Sequence, residues 1–206
     1  MELAFIVNPT AGGGRARQRW ARVEAELRQR NVRWQTFFTE GVGHATTLAR
    51  AAAAEGYDAV VAVGGDGTLN EVVNGAVGSD VSVGLIPLGT GVDFSRTTLL
   101  PRDPVAALDV VLAGRVRRVD VGVVNGRYFC NVAGTGFDAT VADRVNRSSL
   151  KRGRGGVIPY VQAVFQTLFT YRNAPFKITV DDTVFEVTSL LMAVGNGRYY
   201  GGGFKI

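Results

Sequence analysis

Gly64-Gly65-Asp66-Gly67-Thr68 follows directly on Tyr57-Asp58-Ala59-Val60-Val61-Ala62-Val63 and runs into Leu69-Asn70-Glu71-Val72-Val73-Asn74-Gly75. The first run is short, apolar and β-branched, the character of a buried strand. The glycines let backbone N–H groups approach an anion, and a helix starting at Thr68 would add roughly half a positive charge beside them. Thr68 can cap that helix with its hydroxyl, and Glu71 three residues on fits a capping box. Asp66 would repel a bare phosphate. It makes sense if it holds a divalent cation bridging phosphates, or orients the group that attacks one. A tight strand-to-helix turn that needs positive φ explains the same glycines without a ligand.

Outward from this loop, strands and helices alternate. Leu3 to Val7 reads as a first buried strand, followed by Asn8-Pro9-Thr10-Ala11-Gly12-Gly13-Gly14 and a helix from Arg15 to about Arg30. That loop is not a P-loop, since no Gly-Lys-Ser/Thr closes it, and Arg17 stands where a dinucleotide fingerprint wants its third glycine. On its own it fits a phosphate loop and a plain turn equally. Val32 to Phe38 reads as a second strand, with a loop from Thr39 to Gly43. His44, the single histidine, opens an Ala-rich helix that stops at Gly56. Val81 to Pro87 is a further strand, ending in Leu88-Gly89-Thr90-Gly91-Val92-Asp93-Phe94-Ser95-Arg96, and Pro104 to Ala113 a further helix. Such alternation predicts a Rossmann-like, doubly wound parallel sheet whose ligands sit at the carboxyl ends of the strands.

Near residue 120 the rhythm changes. Asn125-Gly126 is the preferred two-residue hairpin turn, and Asp181-Asp182 separates two more apolar runs in the same way. Two domains are therefore expected: an α/β domain over 1–120 and an antiparallel, β-rich domain over 121–206. Arg144, Arg147, Lys151, Arg152 and Arg154 precede an apolar helix from Tyr160 to Tyr171. That pairing could meet an anionic membrane surface, although a solvated loop and a core helix explain it more simply.

Composition excludes several classes. With 46% hydrophobic and 20% charged residues the chain is globular rather than disordered, and no apolar run approaches the ~18 residues that span a bilayer. The apolar stretch at the N-terminus is too short for a signal peptide. One cysteine rules out a disulfide framework and a cysteine-based metal site. A cytoplasmic protein is the default. The net charge of +5 suits anionic partners, but no nucleic-acid motif accompanies it.

The string from Gly64 to Gly75 resembles the signature of the diacylglycerol kinase catalytic domain, in its small bacterial lipid-kinase form. Asn8-Pro9-Thr10-Ala11-Gly12, Gly43-His44-Ala45, Gly89-Thr90 with Asp93-Phe94-Ser95-Arg96, Gly134-Thr135-Gly136-Phe137-Asp138 and Gly195 to Phe204 resemble that family's other motifs. The shorter Gly-Gly-Asp-Gly-Thr is also shared with NAD kinases and phosphofructokinases. The resemblance implies transfer of the γ-phosphoryl of ATP, with Mg2+, to a lipid hydroxyl such as that of a diacylglycerol. It implies nucleotide contacts at Asn8, Pro9, Thr10, Ala11, Gly12, Thr39, Gly65, Asp66, Gly67, Thr68, Leu69, Asn70, Glu71 and Thr90. Asp66 is then the candidate for the Mg2+ side of the nucleotide, and Asp93 for organising the cleft. Val92 stands where the family has asparagine, an amide that could bond phosphate or ribose.

The partners implied are ATP and a lipid at the inner face of a membrane, with no nucleic acid; a homodimer is allowed. The resemblance also implies a β-sandwich completed by later strands, a structural magnesium site and a catalytic carboxylate. None of these is found before Ile206, so a truncated chain with an incomplete sandwich is expected, with no catalytic residue identifiable beyond the candidates Asp66 and Asp93. A nucleotide-binding fragment without catalysis, and a kinase of a soluble acceptor such as NAD, are the alternatives.

Overall fold

The computed structural model describes residues 1–147 and 157–205. They form two compact units, residues 1–131 with 195–206, and residues 132–194.

In the first unit, strands β1 (Glu2–Val7), β2 (Arg33–Phe38), β3 (Ala59–Gly64) and β4 (Ser82–Pro87) make one parallel sheet in the order β2-β1-β3-β4. Leu3 to Val7 and Val60 to Val63 are fully buried, as central strands covered on both faces must be. Helices α1 (Ala16–Arg28), α2 (His44–Glu55), α3 (Asp66–Ala76), the short α4 (Asp93–Thr98) and α5 (Pro104–Leu112) connect and follow them. Trp20, Val23 and Leu27 of α1 and Leu108 of α5 pack on Leu3, Phe5 and Val7. Ala45, Ala49 and Ala52 of α2 and Leu69 and Val72 of α3 cover the opposite face at Ala4, Ile6 and Val60. Small residues let α2 and α3 cross closely: a methyl on the buried Gly75 would collide with the Thr46 carbonyl.

The direction in which strands are added reverses between β1 and β3, whose other neighbours β2 and β4 lie on opposite sides. That switch opens a crevice beyond the carboxyl ends of β1 and β3.

The hairpin expected at Asn125-Gly126 forms between β5 (Gly122–Val124) and β6 (Arg127–Phe129), with both turn residues at positive φ (50° and 75°). In the second unit, β7 (Val132–Gly136) is followed by α6 (Phe137–Arg147), α7 (Val157–Thr170) and the antiparallel pair β8 (Ala174–Val180) and β9 (Thr183–Ser189), whose turn is Asp181-Asp182. β10 (Leu191–Gly195) pairs with β7. The small antiparallel pair β11 (Tyr199–Tyr200) and β12 (Phe204–Lys205) lies in the first unit. No helix among the described residues is long and apolar enough to cross a membrane.

Three local expectations are corrected. α3 begins at Asp66, with Gly65 as N-cap and no side-chain cap, so Thr68 is three residues too far inside to cap it and no capping box forms. The stretch after Phe137 is helical (α6) rather than a basic loop. Of the basic cluster, Lys151, Arg152 and Arg154 lie outside the described residues, and Arg144 donates to the Thr170 hydroxyl (2.8 Å).

Gly75→Ala should lower stability by about 1–2 kcal/mol, overpacking outweighing the better helix propensity of alanine. Urea unfolding reads this; an unchanged or raised midpoint would show that α2 and α3 cross further apart.

Candidate functional site

Three loops meet beyond the carboxyl ends of β1, β3 and β4, all within the first unit. In the first, Pro9 and Thr10 are the central residues of a turn closed by the Ala11 N–H on the Asn8 carbonyl (3.2 Å). The Asn8 Oδ1 accepts the Thr10 N–H (3.0 Å) and hydroxyl (2.8 Å). Gly12, Gly13 and Gly14 then follow at φ +60°, +72° and +84°, a left-handed run that disfavours any residue with a Cβ. A methyl on Gly12 would stand 2.5 Å from the Leu88 carbonyl oxygen, so this turn lies directly on the third loop.

The second loop is held from both sides. The Asn8 Nδ2 donates to the Thr68 hydroxyl (3.1 Å), linking the first loop to α3. The Gly64 carbonyl accepts both the Leu88 and the Gly89 N–H, each at 2.9 Å. A methyl on Gly89 would collide with the Gly65 backbone, so the two loops touch through glycine Cα atoms. Gly67 is open, with nothing within 4 Å of where a Cβ would be. The N-terminus of α3 therefore faces this opening without a side-chain cap.

Asp66 lies in the first turn of α3, where its charge suits the helix dipole. Its Oδ2 accepts the Asp93 N–H (2.9 Å) and its Oδ1 the Phe94 N–H (3.0 Å). Asp93 is 4% exposed; its Oδ2 accepts the Gly202 N–H (2.7 Å) and its Oδ1 lies 3.6 Å from the Arg96 Nε.

The site residues read from the sequence thus fall into groups. Asn8 to Gly12 and Gly65 to Thr68 come together at the crevice, with the exposed Thr90 on the third loop. Thr39 stands one strand away, its N–H on the Val7 carbonyl (2.9 Å). The Leu69 side chain is buried in the core, and the Asn70 carbonyl accepts the Asn74 amide (2.7 Å). The Glu71 carboxylate accepts the Ala45 N–H (3.1 Å) and so caps α2 instead of its own helix. Val92 is 3% exposed and left-handed (φ 43°, ψ 47°), a conformation costing a β-branched residue about 1–2 kcal/mol. Asparagine tolerates it far better, so this departure bears on the loop's conformation as well as on a lost amide.

Sequence reasoning missed α4 and the role of Asn131. Asn131 takes the Asn196 and Gly197 N–H groups on its carbonyl (2.7 and 2.8 Å) and donates from its side chain to the Tyr199 carbonyl (2.8 Å). Arg198 N–H donates to the Thr97 hydroxyl (3.1 Å), which fastens the late glycine motif to α4. No local pattern announces these contacts, because their partners lie tens of residues apart.

The left-handed glycine run and the uncapped N-terminus of α3 suit an anion such as a polyphosphate, which the helix dipole and helix-end N–H groups stabilise. No three His, Cys, Asp or Glu side chains come together among the described residues, and each Asp66 oxygen already accepts a backbone N–H.

The diacylglycerol kinase catalytic domain family matches residues 2–124, and the YegS C-terminal NAD kinase beta sandwich-like domain matches residues 131–206. A diacylglycerol kinase of Staphylococcus saprophyticus is 38% identical over 193 residues, covering 93% of this chain and 63% of the relative. One from Mycobacterium tuberculosis H37Rv is 37% identical over 212 residues, covering 100% and 68%. The crystal structure of a diacylglycerol kinase from Bacillus anthracis superposes with a TM-score of 0.74 at 30% identity, over 98% of this chain and 66% of that one. The chain thus spans about two-thirds of the length of these relatives.

Burial, and then the nearby Asp66 charge, push the Cys130 thiol up from 9.0 to about 11. The unfolded chain ionises first, so stability is complete below pH about 9 and falls as pH rises towards 11, by up to about 3 kcal/mol. Urea unfolding between pH 8 and 10.5 should show this loss, and Cys130→Ala should abolish that part of it. Equal pH slopes in the two proteins would place the thiol in a more polar setting.

Proposed function

Because this chain belongs to the diacylglycerol kinase catalytic domain family, we propose that it binds ATP at the three-loop crevice and serves transfer of the γ-phosphoryl group to a lipid hydroxyl. The observation that carries the reading is the meeting of the Asn8–Gly14 turn, the uncapped N-terminus of α3 and the Gly89–Thr90 loop at the switch point of the sheet. Anionic phosphates are stabilised there by aligned backbone donors and the helix dipole. Thr39, at the end of the neighbouring strand, is at the distance of one strand spacing, where the nucleoside end would fall.

In this reading Asn8 shapes the first turn and ties it to Thr68, so that the donors are in place before the nucleotide arrives. Preorganisation of this kind is the main contribution a protein makes to phosphoryl transfer, which otherwise needs an acceptor oxygen in line with the phosphorus. The bond between the β- and γ-phosphates breaks as the lipid oxygen bonds the γ-phosphorus, and the hydroxyl proton leaves to a base. Magnesium arriving with the nucleotide would neutralise charge on the phosphates. The α/β domain then carries the nucleotide and the β-rich domain follows from about residue 121. The setting proposed is the cytoplasm, with the lipid met at the membrane's inner face.

Calorimetry should show ATP binding to the 206-residue chain. Gly12→Ala should weaken it roughly tenfold or more, since the left-handed turn is strained by a Cβ that also meets the Leu88 carbonyl. Labelled phosphate appearing on a diacylglycerol in mixed micelles but not on NAD would support the lipid acceptor. Labelling of NAD alone would replace it with a soluble one.

A further inference from the structure

We infer that Asp66 is a positioning residue that holds α4 and, through Asp93, the late glycine turn. The inference deepens the nucleotide-site reading and leans on it only where ligand binding is measured.

Four observations lead here. The N-cap of α4 is Val92, which has no side-chain acceptor and makes no cap hydrogen bond. The first N–H groups of α4, those of Asp93 and Phe94, instead reach the two carboxylate oxygens of Asp66, 27 and 28 residues earlier. Asp66 therefore supplies from another helix the acceptor that residue 92 lacks. The carboxylate of Asp93 in turn accepts the Gly202 N–H at 2.7 Å, and a methyl on Gly203 would come within 3.1 Å of the Arg96 guanidinium.

Gly91 closes the arrangement, since a Cβ there would stand 3.2 Å from the Asp66 Oδ2. Two carboxylates in series thus join the Gly64–Thr68 loop, the start of α4 and the Gly201–Gly203 turn. Charge-assisted bonds to backbone N–H groups are the strong kind, and both acids are at least partly buried. A small octahedral cation would need these oxygens at its own short distances and angles. Here each oxygen is already directed at a backbone donor of α4. What Asp66 does for the nucleotide is indirect: it holds the far end of the Leu88–Val92 segment, whose Gly89 backs Gly65 and whose Leu88 carbonyl backs Gly12.

Amide hydrogen exchange by NMR on the full 206-residue chain tests this without a ligand. In the unmodified chain the Asp93, Phe94 and Gly202 amides should exchange at least tenfold more slowly than in an unstructured peptide. Asp66→Asn should accelerate exchange at Asp93 and Phe94 at least tenfold and at Gly202 by a smaller factor, leaving Phe5 in β1 unchanged. Asp93→Asn should accelerate Gly202 and leave Phe94 protected.

ATP affinity with and without Mg2+ is the second readout. Asp66→Asn should weaken both by the same factor, whereas a metal ligand would lose affinity only when Mg2+ is present. A loss confined to Mg2+, with Asp93 and Phe94 exchange unchanged, overturns the inference. So do unprotected Asp93 and Phe94 amides in the unmodified chain, which decides the matter even if Asp66→Asn does not fold. If the unmodified chain binds no ATP, the nucleotide reading fails while the exchange results still judge the role of Asp66.

Discussion

The Gly64 carbonyl, accepting the Leu88 and Gly89 N–H groups at 2.9 Å, holds the end of β3 against the end of β4. Everything at the crevice depends on that closeness. With the strands parallel and the loops so near, Gly65 and Gly89 must meet through their backbones, and only glycine leaves the room. The same approach brings Gly12 onto the Leu88 carbonyl, so the first loop is shaped by the third. A side chain at Gly12 or Gly89 would push two loops apart and disturb the crevice they line.

A second constraint is that the helices are capped from a distance. Glu71 of α3 caps α2 through Ala45, and Asp66 of α3 caps α4 through Asp93 and Phe94. Asn74, on the same helix, exchanges two hydrogen bonds with the Tyr128 backbone of β6. α3 is therefore the hub of the first unit: its apolar face covers the sheet while its polar side chains order three neighbouring elements. Acidic and amide side chains on a helix that begins at a glycine loop are easily read as ligand contacts. Here several of them are directed at the protein's own backbone, because buried N–H groups at helix ends must find acceptors.

This alters how the family resemblance bears on particular residues. The motif around Gly65 combines positions whose backbone lines the crevice, such as Gly67, with positions whose side chains face inward, such as the fully packed Leu69. Val92 belongs to the same class of distinction. Its position in the motif suggested a missing hydrogen bond to a ligand, whereas its buried, left-handed geometry makes it first a matter of loop conformation.

The amino-acid sequence by itself determined the parallel sheet, the helices between its strands, the hairpin at Asn125-Gly126 and the meeting place of the glycine loops. These follow from local rules: β-branched runs, helical stops at glycine, and turn residues that accept positive φ. Only the tertiary structure decided that α3 begins at Asp66, that α4 exists, that Glu71 and Asp66 serve other helices, and that Asn131 and Asp93 bind the chain's last glycine motif. The physical reason is range. Propensity and periodicity act over a turn or a few residues, whereas a carboxylate chooses among all N–H groups the fold brings near it, and that choice exists only after the sheet has assembled.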